Sequence, residues 1–154
     1  MGIAIRAATQ DDHDAILALV PRLAATGTPA LRDAKQVCAA DLASVGEALR
    51  ASDGRCACFI AEIDGGLAGF IHVRRVQDYY TQREIAHVSD VVVAPHAEGR
   101  GVGRALMTAA EAWAKAQGHP LIQLYVLPEN APARALYERS GYTPEWMKYI
   151  KPLD

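Results

Sequence analysis

The sequence lacks several features that would assign it to a special class of protein. It has no apolar run close to the about 18 to 20 residues that a membrane-spanning helix needs. It also has no basic excess, since 16 Lys and Arg against 18 Asp and Glu give a formal net charge of −2. Binding of nucleic acid or of an anionic membrane surface usually requires a clustered basic face. We therefore expect no nucleic-acid partner and no membrane partner, and any anion site must be local.

The first residues, "MGIAIRAATQDD", carry no recognisable targeting signal. They lack the long apolar core of a secretory signal, and Arg6 stands where a myristoylation motif needs Ser or Thr. We expect a cytoplasmic protein.

Cysteine is scarce and odd in number: Cys38, Cys56 and Cys58. Cys56 and Cys58 point the same way from one predicted strand, which suits packing better than a disulfide framework. We expect reduced thiols in the core and no metal site.

A chain of 154 residues fits a single domain, residues 1–154, and shows no internal repeat, linker or low-complexity tract. The apolar spacing predicts a mixed α/β fold in the order β-α-α-β-β-β-α-β-α-β, with helices on both faces of the sheet. Thr9 with Asp12 resembles a capping box, Pro21 is expected to kink or shorten the first helix, and Asp64-Gly65 predicts a tight hairpin. "TPEWMKYIKPL" is the predicted last edge strand.

Three glycines at alternate positions, Gly99, Gly101 and Gly103, lie between the apolar run "VSDVVVA" and an amphipathic helix that begins near Val102. A helix amino terminus has free N–H groups and partial positive charge, and a loop without Cβ atoms lets an anion approach them. The pattern therefore indicates a phosphate cradle in residues 99–104. The alternative from these residues alone is a tight strand-to-helix turn without a ligand.

Other nucleotide loops do not fit this segment. There is no G-x-x-x-x-G-K-[ST] motif, and the glycine spacing differs from that of a dinucleotide fingerprint.

The loop "EGRGVGRAL" resembles the cofactor loop of the GCN5-related N-acetyltransferases, the GNAT superfamily, with its pattern [Q/R]-x-x-G-x-[G/A] after the fourth strand. It matches at Gly101 and Gly103. Glu98 departs from the usual Gln or Arg, so we expect Arg100 or Arg104 to supply the side-chain cation. The resemblance implies that coenzyme A binds the main chain of residues 99–104, Val102 included.

A second segment, "ENAPARALYERSGYTP", is similar to the superfamily's carboxy-terminal region. There Asn130 would open a helix beside the cofactor, and Tyr137 would protonate the departing sulfur. The resemblance also implies that the fourth and fifth strands splay apart. The pantetheine arm would then pair with the main chain near Val91 and Val93, and an N–H near Val92 or Val93 would stabilise the oxyanion.

The general base is less clear from the sequence. Counting back eleven positions from Glu98, as in histone-acetylating members of the superfamily, gives His87. Regular alternation predicts that His87 shares a face with Ser89, Val91 and Val93 and that Asp90 faces the other way. The alternatives left open are a histidine packed in the core, lesser candidates, or an ordered water in place of a base. The lesser candidates are Asp90, Glu84 and His72.

The superfamily's acceptor site usually lies between two loops, which here are residues 26–33 and 76–83. In the second loop Asp78, Tyr79 and Tyr80 could bind a cationic amine through charge and cation–π contact. The equally open alternative is that they are ordinary exposed loop side chains.

The resemblance implies an acetyl-CoA-dependent N-acetyltransferase that acts on a primary amine of a small molecule or peptide, by direct transfer in a ternary complex. Two alternatives stay open: a non-catalytic acyl-CoA-binding sensor, and an enzyme that modifies peptides within a partner complex. Members of the superfamily are commonly dimers, so the resemblance also allows a homodimer.

Overall fold

A five-stranded sheet forms the centre of the computed structural model, which describes residues 2–25 and 27–153. The strands lie side by side in chain order; the first four pair antiparallel, and the fifth pairs parallel to the fourth. They are β1 (Ile3–Ala7), β2 (Cys56–Ile63), β3 (Gly66–Gln77), β4 (Glu84–Val93) and β5 (Ile122–Leu124).

Four α-helices within the described residues cover both faces of this sheet, as the sequence predicts. They are α1 (His13–Leu19), α2 (Ala34–Arg50), α3 (Val102–Ala116) and α4 (Ala131–Arg139). On one face, Ile16 of α1 and Val45 of α2 join a buried cluster with Phe70. On the other face, Leu106 of α3 and Tyr137 of α4 belong to a larger cluster over β2, β3 and β4.

The cap, proline and turn residues that the sequence analysis singled out have the predicted local effects. The Thr9 N–H donates to Asp12 Oδ2 over 2.7 Å, which completes the capping arrangement before α1. Pro21 lies in a 3-10 segment, Val20–Ala24, and α1 ends at Leu19 because proline removes an amide donor that the helix needs. Asp64 and Gly65 both have positive φ, at 53° and 79°, and form the two-residue turn between β2 and β3.

The prediction of a final edge strand is wrong. Residues 143–153 form no strand, and Trp146 and Tyr149 are exposed rather than buried. Pro144 and Pro152 lack the N–H groups that a strand would donate. The neighbouring β5 is also too short to offer a long edge, so the sheet ends there.

The fifth strand is short. In the apolar segment "LIQLYVL", residues 121–127, only Ile122–Leu124 pairs with β4. Leu121 and Tyr125 are 56% and 84% exposed. Pairing with β4 stops at Leu124, so residues 125–127 lie outside the sheet.

The three cysteines are free thiols, as predicted, but all three are only partly buried and do not lie in the core. Burial raises the pKa of Cys56 and raises that of Cys58 to about 12. In the ranges 2–25 and 27–153, no group of three or more His, Cys, Asp and Glu side chains is arranged to hold a metal ion. None of the helices in these ranges is long and apolar enough to cross a membrane.

Candidate active site

A cleft opens where β4 and β5 separate. Their main-chain pairing ends at Val88 and Leu124. Beyond that pair a space of about 150 Å³ lies between residues 89–91 and residues 125–127. Further lining residues come from the neighbouring segments: Leu23, Asn130 and Tyr137. The splayed strands that the family resemblance implies are present.

A β-bulge interrupts β4 at the beginning of this cleft. His72 and Val73 are neighbours on β3, but their partners on β4 are Asp90 and Val88. Ser89 is therefore an extra residue. One extra residue shifts the alternation of side chains, so the positions after the bulge exchange faces relative to a regular strand.

The bulge corrects the predicted orientation of His87. His87 pairs with Arg74, and Asp90 pairs with the residue two positions before Arg74 on β3, so both lie on the same face of the sheet. Val91 and Val93 pack against the core cluster on the opposite face. The predicted grouping of His87 with these two valines is wrong, because it assumed uninterrupted alternation.

The main chain at the end of β4 faces two directions. The Ala94 N–H donates to the Ala68 carbonyl on the β3 side, over 2.8 Å. The N–H and carbonyl groups of successive residues point to alternate sides of a strand. Those of Val92 therefore also face β3, whereas those of Val91 and Val93 face the side that β5 has left. Of the two N–H groups expected as oxyanion donors, at Val92 or Val93, this alternation favours that of Val93.

The glycine loop after β4 adopts conformations that other residues rarely take. Gly99 and Gly101 have φ of 72° and 84°, and Gly101 is the N-cap of α3. The Ala105 N–H donates to the Gly101 carbonyl as the first helical bond. The amides of residues 102–104 thus have no intrahelical acceptor, and a glycine N-cap has no side chain to accept from them. This end of α3 is open to an anion.

The other residues of the loop contribute differently. A Cβ on Gly103 would contact Leu136 at 3.4 Å, so this glycine lets α3 pack closely on α4. The side chain of Val102 is buried, which leaves only its main chain for binding. Arg100 and Arg104 are exposed, and among the described residues neither makes an ion pair.

An ion pair that the sequence did not reveal lies beside this loop. Arg22 Nη2 donates to Glu98 Oε1 over 2.5 Å, and Arg22 Nε donates to the Val93 carbonyl over 3.1 Å. These residues are more than 70 positions apart in the chain. No motif or spacing in the sequence connects them, so only the fold could identify the contact.

Tyr137 lies on the wall of the cleft near the end of α4 and is only 8% exposed. Burial raises the pKa of its phenol. Its ring contacts that of Tyr142, with 6.0 Å between the ring centroids, and Tyr142 donates to Glu111. Among the described residues, the Tyr137 hydroxyl forms no hydrogen bond. Its proton is therefore available to a group in the cleft.

Asn130 opens α4, as predicted. Its carboxamide oxygen accepts from the Ala133 N–H over 3.3 Å, and Pro132 follows in the first turn of the helix. This cap fixes the start of the helix that carries Tyr137.

His87 is buried and poorly suited to accept a proton. Burial, with the nearby Arg74 charge, lowers its pKa to about 4. Gln123 Nε2 donates to His87 Nδ1 over 3.1 Å, so the neutral ring carries its hydrogen on Nε2. The nitrogen that could take a proton is already occupied.

Asp90 has the geometry that His87 lacks. It lines the cleft, and His72 Nδ1 lies 3.0 Å from Asp90 Oδ2. Both side chains are at least nine-tenths buried. The histidine thus holds the carboxylate at the edge of the cleft. Both residues were only lesser candidates in the sequence, because the bulge that turns Asp90 to this face leaves no clear pattern.

The predicted acceptor loop lies at the opposite end of β4. The Asp78 carboxylate accepts from both the N–H and the hydroxyl of Thr81, so it closes its own turn. Tyr79 and Tyr80 are exposed, and Tyr80 stacks on Trp146 with 6.5 Å between ring centroids. None of the three lines the cleft. In the other predicted loop, residue 26 lies outside the described residues.

A family model for the acetyltransferase (GNAT) family matches residues 26–142, which is most of the chain. The chain belongs to the GNAT family. Among curated relatives, a mycothiol acetyltransferase of Streptomyces avermitilis is 42% identical over 84 residues, which make up 54% of this GNAT chain. The aligned segment spans only 26% of that relative's length. Several other curated relatives are likewise much longer than the segment they share with it.

Solved structures show the same fold over nearly the whole chain. A GCN5-related N-acetyltransferase from Ralstonia eutropha has a TM-score of 0.77 at 23% identity, with 99% of each chain covered. Aminoglycoside N-acetyltransferase AAC(6')-Iy, solved in complex with CoA, has a TM-score of 0.73 at 24% identity. That comparison covers 99% of this GNAT chain and 96% of the other.

Replacing His87 with Gln should reduce the dependence of stability on pH. The folded-state pKa of about 4 lies below the ordinary 6.5, so the unfolded chain takes up a proton first as the pH falls. Stability should therefore fall between pH 6.5 and 4, and His87→Gln should remove on the order of 1 kcal/mol of that loss. Urea unfolding at pH 7 and pH 5 measures it. His96→Gln, at an exposed histidine, is the control, and equal losses in wild type and His87→Gln would contradict the assignment.

Proposed function

We propose that this protein transfers an acetyl group from acetyl-CoA directly to a primary amine, in a ternary complex. The observation that carries the proposal is the cleft between β4 and β5, which brings Tyr137 next to the part of β4 that does not pair with β5, in a chain of the GNAT family. The names of its relatives support acetyl transfer to amine-bearing small molecules.

The residues around the cleft fit a coenzyme A thioester. The uncapped amides of residues 102–104 and the partial positive charge at the start of α3 suit the diphosphate. A Cβ on Gly99 would meet nothing within 4 Å, so the loop leaves space for the ligand. Val91 can offer its N–H and carbonyl to the amides of the pantetheine arm, whereas the Val93 carbonyl already accepts from Arg22. When bound, acetyl-CoA supplies an activated acetyl group and a thiolate leaving group.

Tyr137 is the proposed general acid. Its raised pKa keeps the phenol protonated at neutral and mildly alkaline pH, which is the state an acid needs. The Val93 N–H, which the strand alternation turns toward the side that β5 has left, is the proposed oxyanion donor. Asn130 acts by holding the first turn of the helix on which Tyr137 lies.

Asp90 is the proposed proton acceptor, in place of His87. Its carboxylate lines the cleft and accepts from His72, which positions it. Burial, with a smaller contribution from the charge of Asp90, raises the pKa of Asp41 on α2. A protonated amine in the cleft would be attracted by the Asp90 carboxylate before it gives up its proton. This arrangement supports a cationic acceptor.

Direct transfer fits the cysteines better than an acyl-cysteine relay. The reactive form of cysteine is the thiolate, and the raised pKa of Cys58, about 12, keeps the thiol protonated at neutral pH. Cys56 and Cys58 lie on β2, and neither lines the cleft.

Gly101→Val should weaken coenzyme A binding at least about tenfold. A branched side chain disfavours the φ of 84° and would occupy the approach to the α3 amides. Isothermal titration with coenzyme A measures the affinity. Gly118→Val is the matched control, because Gly118 has a φ of 78° just beyond the other end of the same helix. If both variants bind like wild type, the loop is not the diphosphate site.

Tyr137→Phe should lower kcat at saturating acetyl-CoA about 10-fold or more, with KM for acetyl-CoA changed little, because the ring stays and only the acidic proton is lost. Release of free thiol with a panel of small amines and peptides reports turnover. Tyr142→Phe removes the hydrogen bond to Glu111 and is the control for an indirect effect through the packing around Tyr137. Coenzyme A binding without turnover by wild type on any amine would favour the sensor, and turnover on peptides alone would favour a peptide-modifying enzyme.

Asp90→Asn should lower kcat/KM at pH 7 by about 100-fold, since an amide cannot take up the proton of the amine. His87→Gln should stay within about threefold of wild type, because Gln123 already occupies His87 Nδ1. The measurement is the pH profile of kcat/KM for all three proteins. A larger loss of kcat/KM for His87→Gln than for Asp90→Asn would instead identify His87 as the base.

A further inference from the structure

The family resemblance leaves a charge problem at the mouth of the cofactor site. Glu98 stands one residue before the glycine loop, where related chains usually carry Gln or Arg. A carboxylate there would repel the diphosphate unless another group compensates it. The sequence suggested Arg100 or Arg104, but both side chains are exposed and make no ion pair among the described residues.

The compensating group in the structure is Arg22. Its guanidinium bridges Glu98 and the Val93 carbonyl, the last residue of β4. The Arg22 side chain is 30% exposed, against 63% for Glu98. Two bonds at different nitrogens fix the plane of the guanidinium, and its remaining donors are the two hydrogens of Nη1 and the second hydrogen of Nη2.

The backbone that carries Arg22 is well anchored. Val20, two residues earlier, is 1% exposed and packs in the core between α1, α2 and the sheet. Pro21 restricts the chain immediately before Arg22. The guanidinium therefore comes from a rigid segment and lies between the end of the cleft and the start of the loop.

We propose that Arg22 is the side-chain cation that binds the diphosphate of coenzyme A, and that Glu98 positions it. Glu98 and Val93 hold the guanidinium beside the loop, so that it adds charge-assisted donors to the main-chain amides of residues 102–104. Glu98 thereby supports coenzyme A binding indirectly, although its own negative charge would repel the diphosphate. This inference rests on the proposed function, because it assumes that the loop binds coenzyme A.

The first test compares ligands with and without the diphosphate. Arg22→Gln should weaken coenzyme A and 3′-dephospho-coenzyme A about 10-fold or more in isothermal titration, and by similar factors. Pantetheine, which lacks the diphosphate, should bind both proteins alike. Arg55→Gln is the matched control: it breaks an ion pair with Asp53 near the opposite end of β4 and should leave all affinities unchanged. Thermal melts of each variant check that the fold is retained.

A double-mutant cycle tests the role of Glu98. In wild type, Glu98→Gln should weaken coenzyme A binding, because Arg22 loses its partner. In the Arg22→Gln background, the same change should strengthen binding, because it removes an unpaired carboxylate. Tighter binding by Glu98→Gln in both backgrounds would mean that Glu98 only repels the ligand, and it would overturn the positioning role.

The outcomes separate this inference from the proposed function. If wild type binds coenzyme A and Arg22→Gln binds it equally well, the inference fails and the proposed site remains. An equal loss for pantetheine would place the effect of Arg22 in the cleft, and a loss confined to coenzyme A would place it at the 3′-phosphate; either result overturns the diphosphate assignment. If wild type does not bind coenzyme A, the proposed function itself fails.

Discussion

The hydrogen bonds between β4 and β5 stop at Val88 and Leu124, and the candidate site depends on this interruption. A sheet that continued to pair would use the main-chain groups of Val91 and Val93 internally. Because β5 has only three residues, these groups are not used by the sheet: the Val93 carbonyl accepts from Arg22, and the space between the strands is lined by α4. The cap at Asn130 and the close packing at Gly103 then set how Tyr137 faces that space.

Charge is distributed unevenly around the site. At the mouth, the partial charge of α3 and the Arg22–Glu98 pair surround the proposed diphosphate position. On the face covered by α1 and α2, Asp90 places a carboxylate at the wall of the cleft. The proposed anionic cofactor and a cationic acceptor would thus each lie near groups of opposite charge, as the proposed ternary complex requires.

Much of the fold could be predicted because its signals are local. The hairpin at Asp64-Gly65, the cap at Asn130 and the glycine N-cap at Gly101 each depend on the conformation of a few consecutive residues. The absence of a last strand could not be predicted from local signals. Residues 143–153 could form a strand only by pairing with an available edge of the sheet, and that depends on the rest of the fold. The Arg22–Glu98 contact joins distant positions, and the bulge at Ser89 resembles ordinary alternation in the sequence.

The bulge also restricts the length of β4. Each side chain from Asp90 to Val93 faces its present direction only because Ser89 adds one residue to the count. Deleting any single residue between Ser89 and Val93 would rotate Asp90 or the valines away from their neighbours and would reverse the main-chain groups at the cleft. We therefore expect insertions and deletions to be tolerated outside this strand rather than within it, for example in the exposed loop at residues 79–83.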